Sequence, residues 1–392
     1  MLRFLRNKVY PIGIDLGSSS LKMVQLRTTE SGLGLVAAGK RDVPHDIQEE
    51  PAQLQEWYIR NIKELLAEKP FKGKRVVTCL PARDMLVQHM RMAKMDEAQT
   101  EKALPWEARD KVPFDVSQAL LRHVIAGEIY ESNECKQEVI LMAASREAVE
   151  RHLYLIERTK VEIDYVNVEP CALVSCFAHL IEENKDKHSA AMFIDLGHVC
   201  TKVVVAHGTK IVFCRNVRIA AENIRRSLCE KLGVDYFQAV QYHTRLQPQM
   251  SPPKAAAPLA AGSKAGSSGC AVAADPAEWS PDAVSRQSRV DEIITQTLDC
   301  LSEEIRGCIR YHDLLFNSEP IRNVVFLGGQ SKNRMLSQKL ARNLGLPAQL
   351  GDPLGRIDPQ SRTGSHSDVP PGETHSDWAV AFGLSLGGVD AG

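Results

Sequence analysis

The sequence predicts an α/β protein of two similar half-domains, with a smaller α/β subdomain inserted into the first. Two observations lead there. The eleven residues Ile14-Asp15-Leu16-Gly17-Ser18-Ser19-Ser20-Leu21-Lys22-Met23-Val24 recur 180 positions later as Ile194-Asp195-Leu196-Gly197-His198-Val199-Cys200-Thr201-Lys202-Val203-Val204, with six of eleven identical. Each copy reads as a buried strand, a tight turn opened by Gly and an alternating strand. Between the copies, from about Pro81 to Thr159, a strand, a helix, two strands and a helix form a unit of their own.

The elements follow in order. Val9 to Val43 reads as three strands, with Ser31-Gly32 marking the second turn. Leu54, Trp57, Tyr58, Ile62, Leu65 and Leu66 recur at three- and four-residue steps, the stripe of an amphipathic helix before Pro70. Arg75 to Leu80 is a short buried strand. The insert comprises strand Met85–Met92, helix Glu97–Asp110, strands Leu120–Glu128 and Glu138–Ala143, and helix Arg146–Thr159. Glu162 to Val168 returns to the first sheet, and Pro170 opens a helix ending near Ile181. Met192–Leu196, Thr201–Ala206 and Ile211–Ile219 repeat the opening meander, and a helix starts near Glu222. Pro248 to Gln287 is rich in Ala, Pro, Ser and Gly and is expected to be a disordered loop, most flexible at Gly262–Cys270. Val290, Ile293, Ile294, Leu298, Leu301, Ile305 and Ile309 trace one face of a long helix. Strand Asn323–Leu327 runs into Gly328-Gly329 and a helix. A polar loop covers Asp352 to Ser376, and the last helix carries Trp378 and Phe382.

The repeated hairpin has a chemistry. Gly17 and Gly197 let the backbone approach a phosphate, and successive turn N–H groups can point at its oxygens. Asp15 and Asp195 can hold the water shell of Mg²⁺, which favours carboxylates and phosphates and keeps several waters. Two such hairpins facing each other would clamp one nucleotide. A P-loop needs Gly-Lys-Ser/Thr opening a helix, and neither copy has it. A dinucleotide fingerprint also needs a following helix, where Leu21–Thr28 and Thr201–Ala206 read as strands. Lys22 and Lys202 could alternatively face solvent, and Gly328-Gly329 could be an ordinary strand-to-helix turn.

With 392 residues the chain can hold two or three domains with sizeable cores. Its 44% apolar and 25% charged residues are those of a soluble globular protein. A net charge of −1 gives no basic field for nucleic acid or anionic lipid. No stretch approaches the ~20 apolar residues of a membrane span. The basic start, Met1 to Lys8, lacks the apolar core of a secretion signal. Ten cysteines with no CxxC spacing point to reduced thiols in a cytosol.

The order of phosphate hairpin, insert, second hairpin, long helix and strand-Gly-Gly-helix resembles the actin-like ATPase superfamily, with its two ribonuclease-H-like half-domains. Within it, Trp106-Glu107-Ala108 and Val112-Pro113-Phe114 in the insert resemble the PilM family of type IV pilus assembly proteins. The resemblance implies half-domains at 9–80 with 160–188 and at 190–246 with 318–388, an insert at 81–159, and a loop plus long helix at 247–317. It implies ATP and Mg²⁺ as ligands. Gly17, Ser18, Ser19, Ser20 and Lys22 would hold the β-phosphate, and Asp15 and Asp195 would flank the metal. Gly197 and Thr201 match the second turn, and Gly328-Gly329 the segment against adenosine. It further implies a cytoplasmic scaffold, peripheral to the inner membrane, that takes the cytoplasmic tail of PilN and gathers the pilus inner-membrane assembly complex. Trp106 and Phe114 are the expected anchors for that tail, with the core of the insert as the alternative.

Three departures from the family pattern stand out. Ala220-Ala221 replaces a common Gly-Gly pair. His198 and Cys200 replace small hydroxyl residues in the second turn. No residue clearly orients a hydrolytic water: Glu169 either does so or caps the helix that Pro170 opens. Turnover is therefore expected to be slow at most. Two neighbouring readings are an FtsA-like division protein and a type II secretion platform. A small-molecule kinase on the same fold is a third, for which the sequence shows no carboxylate base placed beside an acceptor hydroxyl.

Overall fold

The computed structural model describes residues 8–30, 32–131, 134–183, 190–244, 281–316, 320–358, 361, 366–369 and 374–387. Two five-stranded sheets share one topology. In the first, β1 (Val9–Gly17), β2 (Ser20–Thr29) and β3 (Gly32–Asp42) form an antiparallel meander, and β4 (Arg75–Leu80) and β8 (Glu162–Val168) extend it in parallel in the order β3-β2-β1-β4-β8. In the second, β9 (Ala190–Leu196), β10 (Thr201–His207), β11 (Lys210–Val217), β12 (Ile321–Leu327) and β13 (Ala348–Leu350) take the order β11-β10-β9-β12-β13 with the same senses. Repeated sequence has become repeated architecture.

Helix α1 (Pro51–Glu68) joins β3 to β4 and buries Leu54, Trp57, Tyr58, Ile62 and Leu65, the stripe its spacing predicts. Between β4 and β8 the insert forms a three-stranded antiparallel sheet, β5 (Leu86–Ala93), β7 (Glu134–Ser145) and β6 (Ala119–Glu131), with α2 (Glu97–Glu107) and α3 (Arg146–Glu157). A small core of its own contains Met90, Met92, Leu104, Val139 and Leu141. The insert also leans on the second sheet. The His89 ring stacks on Phe213 at 4.7 Å, and its Nε2 lies 3.1 Å from the Cys214 carbonyl. The fully buried Glu138 takes His89 Nδ1 at 2.9 Å and the hydroxyl of Tyr311, from α7 (Pro281–Leu315), on the same oxygen.

Helices α4 (Glu169–Glu183) and α9 (Ala379–Leu386) lie against each other, and α9 also packs on β1. The remaining helices, α5 (Ala221–Leu232), α6 (Tyr236–Thr244) and α8 (Arg334–Leu344), flank the second sheet with α7.

Several expectations change. The single helix from Glu222 is two, because Gly233 closes α5 in the left-handed conformation (φ 64°) and Asp235 accepts the Gln238 N–H at the start of α6. The long helix begins at Pro281, so 281–287 are helical although composition assigns them to the loop; Pro is at home in a first helical turn. The rest of the expected loop, with Gly262–Cys270, lies outside the described residues, as does Ser31. The polar segment after Asp352 runs along the edge strand β3, where Ala38 donates to His366 O and Asp358 to Leu33 O. Pairing of this kind covers an otherwise open sheet edge.

Candidate nucleotide cleft

Antiparallel register places Asp15 opposite Lys22 and Asp195 opposite Lys202, so each pair shares one face of its hairpin. Both hairpins open onto one cavity of about 300 Å³, the lower end of the range for small-molecule sites. Gly17, Ser18, Ser19, Ser20, Gly197, Gly328, Gly329 and Glu169 line it together with the two Asp–Lys pairs. The first turn is pinned from behind, since Tyr58 donates its hydroxyl to Gly17 O at 2.9 Å and Val43 N–H reaches Ser19 O at 3.0 Å.

The cleft floor is buried, and its charges act on one another with little screening. Lys22 is 7% exposed and donates to Ser20 Oγ at 2.8 Å. Lys202, 8% exposed, reaches Asp195 Oδ2 at 2.8 Å and Glu169 Oε2 at 2.9 Å. The Glu169 contact is an ion pair without hydrogen-bond alignment. Neither lysine faces solvent. Burial pushes Glu169 up to about 7 against the pull of Lys202, with Asp15 and Asp195 adding to the rise. Burial also raises Asp15, opposed by Lys22 and Lys202. For Lys202 the loss of solvent would favour the neutral amine, but Asp195 and Glu169 outweigh it and hold the ammonium.

The expected metal ligands divide. Asp15, Cys79 and Glu169 bring ligand atoms within 4.8 Å of one another, so Asp15 fits the water shell of an ion carried by a nucleotide's phosphates. Asp195 also lines the cleft, but Lys202 competes for that role. One of its oxygens is paired with Lys202. The other lies 2.2 Å from where a Cβ on Gly328 would stand. Thr201 also departs from expectation: it is fully buried, its hydroxyl donates to Ile219 O at 2.6 Å, and it does not line the cleft. Ala220 has an extended backbone (φ −155°, ψ −170°) open to any residue, so α5 starts beside the second turn without a glycine. Glu169 opens α4, yet its side chain is in the cleft, held by Lys202.

The structure adds residues the sequence did not single out. Asp377 pairs with Lys332 at 2.8 Å on the cavity wall. Across the mouth, His198 Nε2 lies 3.0 Å from Gln48 Oε1, His45 stacks on Tyr236 at 3.5 Å, and Arg226 pairs with Glu49. The period-2 pattern of each hairpin carried the signal for Lys202. Nothing in the sequence between the polar loop and the last helix marked Asp377.

Trp106 is 71% exposed at the end of α2, with the Arg109 guanidinium 4.9 Å from its ring. Phe114 is half-buried against the core of the insert.

Two topologically equivalent lobes with a hairpin from each facing one cleft define the actin-like ATPase fold. The family model for the type IV pilus assembly protein PilM matches residues 13–247, and the chain belongs to that family. The structure is similar to one described as the PilM-PilN type IV pilus biogenesis complex, with 22% identity, 96% of this chain and 98% of that chain covered, and a TM-score of 0.70. The ethanolamine utilization protein EutJ of Carboxydothermus hydrogenoformans aligns at 12% identity over 98% and 93% of the two chains, with a TM-score of 0.49. A Bacteroides thetaiotaomicron protein described as having an actin-like ATPase fold and unknown function aligns at 10% identity over 89% and 92%, with a TM-score of 0.40. No curated protein matches the sequence.

Proposed function

We propose that the chain binds ATP between its lobes and serves as an actin-like scaffold of type IV pilus assembly, with little or no turnover. The observation that carries this reading is the pair of hairpins, equal in register, that face one cavity of about 300 Å³. The Ser18 and Ser19 turn and Lys22 hold phosphate oxygens from the first lobe. Asp15 receives a metal-bound water when the nucleotide brings Mg²⁺, which neutralises phosphate charge. Gly328 and Gly329 allow the adenosine side to approach the backbone closely. Glu169, the candidate water activator, is engaged by Lys202, which supports binding over hydrolysis and also weakens the kinase reading.

The membrane is reached through a protein. Among the described residues no helix is long and apolar enough to cross a bilayer. The occupant of the scaffold is a PilN-type cytoplasmic tail from the pilus inner-membrane complex, docked near Trp106. Its support is the family membership and the similar structure's description as a PilM-PilN complex. The protein then works in the cytoplasm, peripheral to the inner membrane.

Thermal melting tests the nucleotide. At a hundredfold excess over Kd, ATP adds about 2.7 kcal/mol, which for a protein of 392 residues raises Tm by roughly 3 °C. Lys22→Ala abolishes the shift and leaves the apo melt in place. An ATP response unchanged in Lys22→Ala would remove the assignment.

A further inference from the structure

The cavity floor holds an arrangement that the two-hairpin reading does not use. We propose that Lys202 is a resident counter-ion on the second lobe's side of the cleft, standing where a divalent cation would otherwise bridge Asp195 and Glu169, so that nucleotide binding by this chain does not require Mg²⁺. The inference rests on the nucleotide reading above and specifies its metal requirement.

Geometry carries it. The Lys202 ammonium lies 2.8 Å from Asp195 and 2.9 Å from Glu169, so both carboxyls face a cation that the chain itself supplies. A Mg²⁺ ion needs oxygens at ~2.0–2.1 Å in a near-octahedral shell. The gap between these two carboxyls is filled by nitrogen, and Gly328 closes over the other Asp195 oxygen. A divalent ion added there would meet a buried ammonium a few ångströms away with little solvent to screen the repulsion.

The two copies of the hairpin show that this is not a by-product of register. Lys22 occupies the same place in the first copy, opposite Asp15, yet its ammonium turns to Ser20 Oγ. Among the described residues it has no carboxylate within ion-pair distance. The second turn, His198-Val199-Cys200, presents no hydroxyl. Lys202 lines the cavity from the second lobe, as do Arg225 and Lys332, and it is the one of the three held between Asp195 and Glu169. Equivalent lysines have taken different work: one faces phosphate, and the other balances carboxylates while remaining at the cavity wall.

The test uses the full chain, fluorescent ADP and Mn²⁺. Wild type is expected to bind the nucleotide with Kd values in EDTA and in Mg²⁺ that agree within about threefold. Lys202→Met leaves Asp195 and Glu169 without their cation. It should bind nucleotide only with a divalent ion, and should bind Mn²⁺ without nucleotide, seen as a gain in Tm and loss of the free-ion spin-resonance signal. Lys202→Arg keeps the charge and should bind no Mn²⁺. A loss of roughly thirtyfold or more for wild type in EDTA overturns the proposal, as does equal Mn²⁺ binding by wild type and Lys202→Met. Should Lys202→Met fail to fold, the wild-type comparison in EDTA decides. Should wild type take no nucleotide under either condition, the nucleotide reading fails. The Mn²⁺ titration then still decides what Lys202 replaces.

Discussion

Gly328→Ala is the substitution whose cost the structure defines most fully. Gly328 sits at φ 84°, ψ 167°, a region open essentially to glycine alone, where another residue is strained by ~1–3 kcal/mol. The added methyl would also stand 2.2 Å from Asp195 Oδ1 and 2.5 Å from Leu196 O. Overpacking of that kind costs a further ~1–3 kcal/mol. The sum, about 2–6 kcal/mol, is large against typical folding stabilities of ~5–15 kcal/mol. It should lower the urea midpoint without changing the slope. Gly329 supplies the control. A Cβ there meets nothing within 4 Å, so Gly329→Ala should stay within ~0.5 kcal/mol of wild type. If Gly329 lies against adenosine, that variant melts normally and loses ATP affinity. The reasoning is refuted if Gly328→Ala melts like wild type, or if both variants lose stability equally.

Three further outcomes are expected. Trp106→Ala, at an exposed position, should leave melting within ~0.5 kcal/mol of wild type while weakening capture of a PilN-type tail peptide by ~2 kcal/mol or more; normal peptide binding by this variant would place the docking site elsewhere. Phe114→Ala, half-buried in the core of the insert, should instead cost ~2 kcal/mol of stability, below the ~3–5 of a fully buried ring. Stability should also fall with acid. Burial lowers His152 to about 4, while in the unfolded chain it titrates near 6.5. The unfolded state therefore gains protons first as pH drops, and about 3 kcal/mol is lost between pH 6.5 and 4. His152→Gln should flatten the urea midpoint over that range, and parallel pH profiles for variant and wild type would contradict the cause.

What could be read in the sequence was what repeats or alternates. The hairpins were legible because Ile-Asp-Leu-Gly and the following lysine recur in one register, and α1 because its apolar residues keep helical spacing. The fate of Lys202 was half legible. Alternation puts it on the face of Asp195, but only the fold brings Glu169, at the end of β8 in the other sheet, to its other side. Thr201 misled because motif position says nothing about which way a strand's first side chain turns, and here the Ile219 carbonyl takes its hydroxyl. Asp377 and Lys332 meet across the cleft wall from segments with no periodic pattern. Composition alone set the end of the Ala/Pro-rich segment too late, since a helix can open with Pro281 and polar residues before its apolar face begins.

The insert meets both lobes: α3 sets Leu155 and Ile156 into the first lobe's core, and side chains of its sheet reach the second. His89, Glu138 and Tyr311 tie it to β11 and α7 with a carboxylate that no solvent reaches. Breaking such a buried network typically costs ~3–5 kcal/mol, so a swing of one lobe against the other meets a strut and not an empty hinge. Tension applied to the insert from outside would be delivered, through the same strut, to the lobe that holds Lys202.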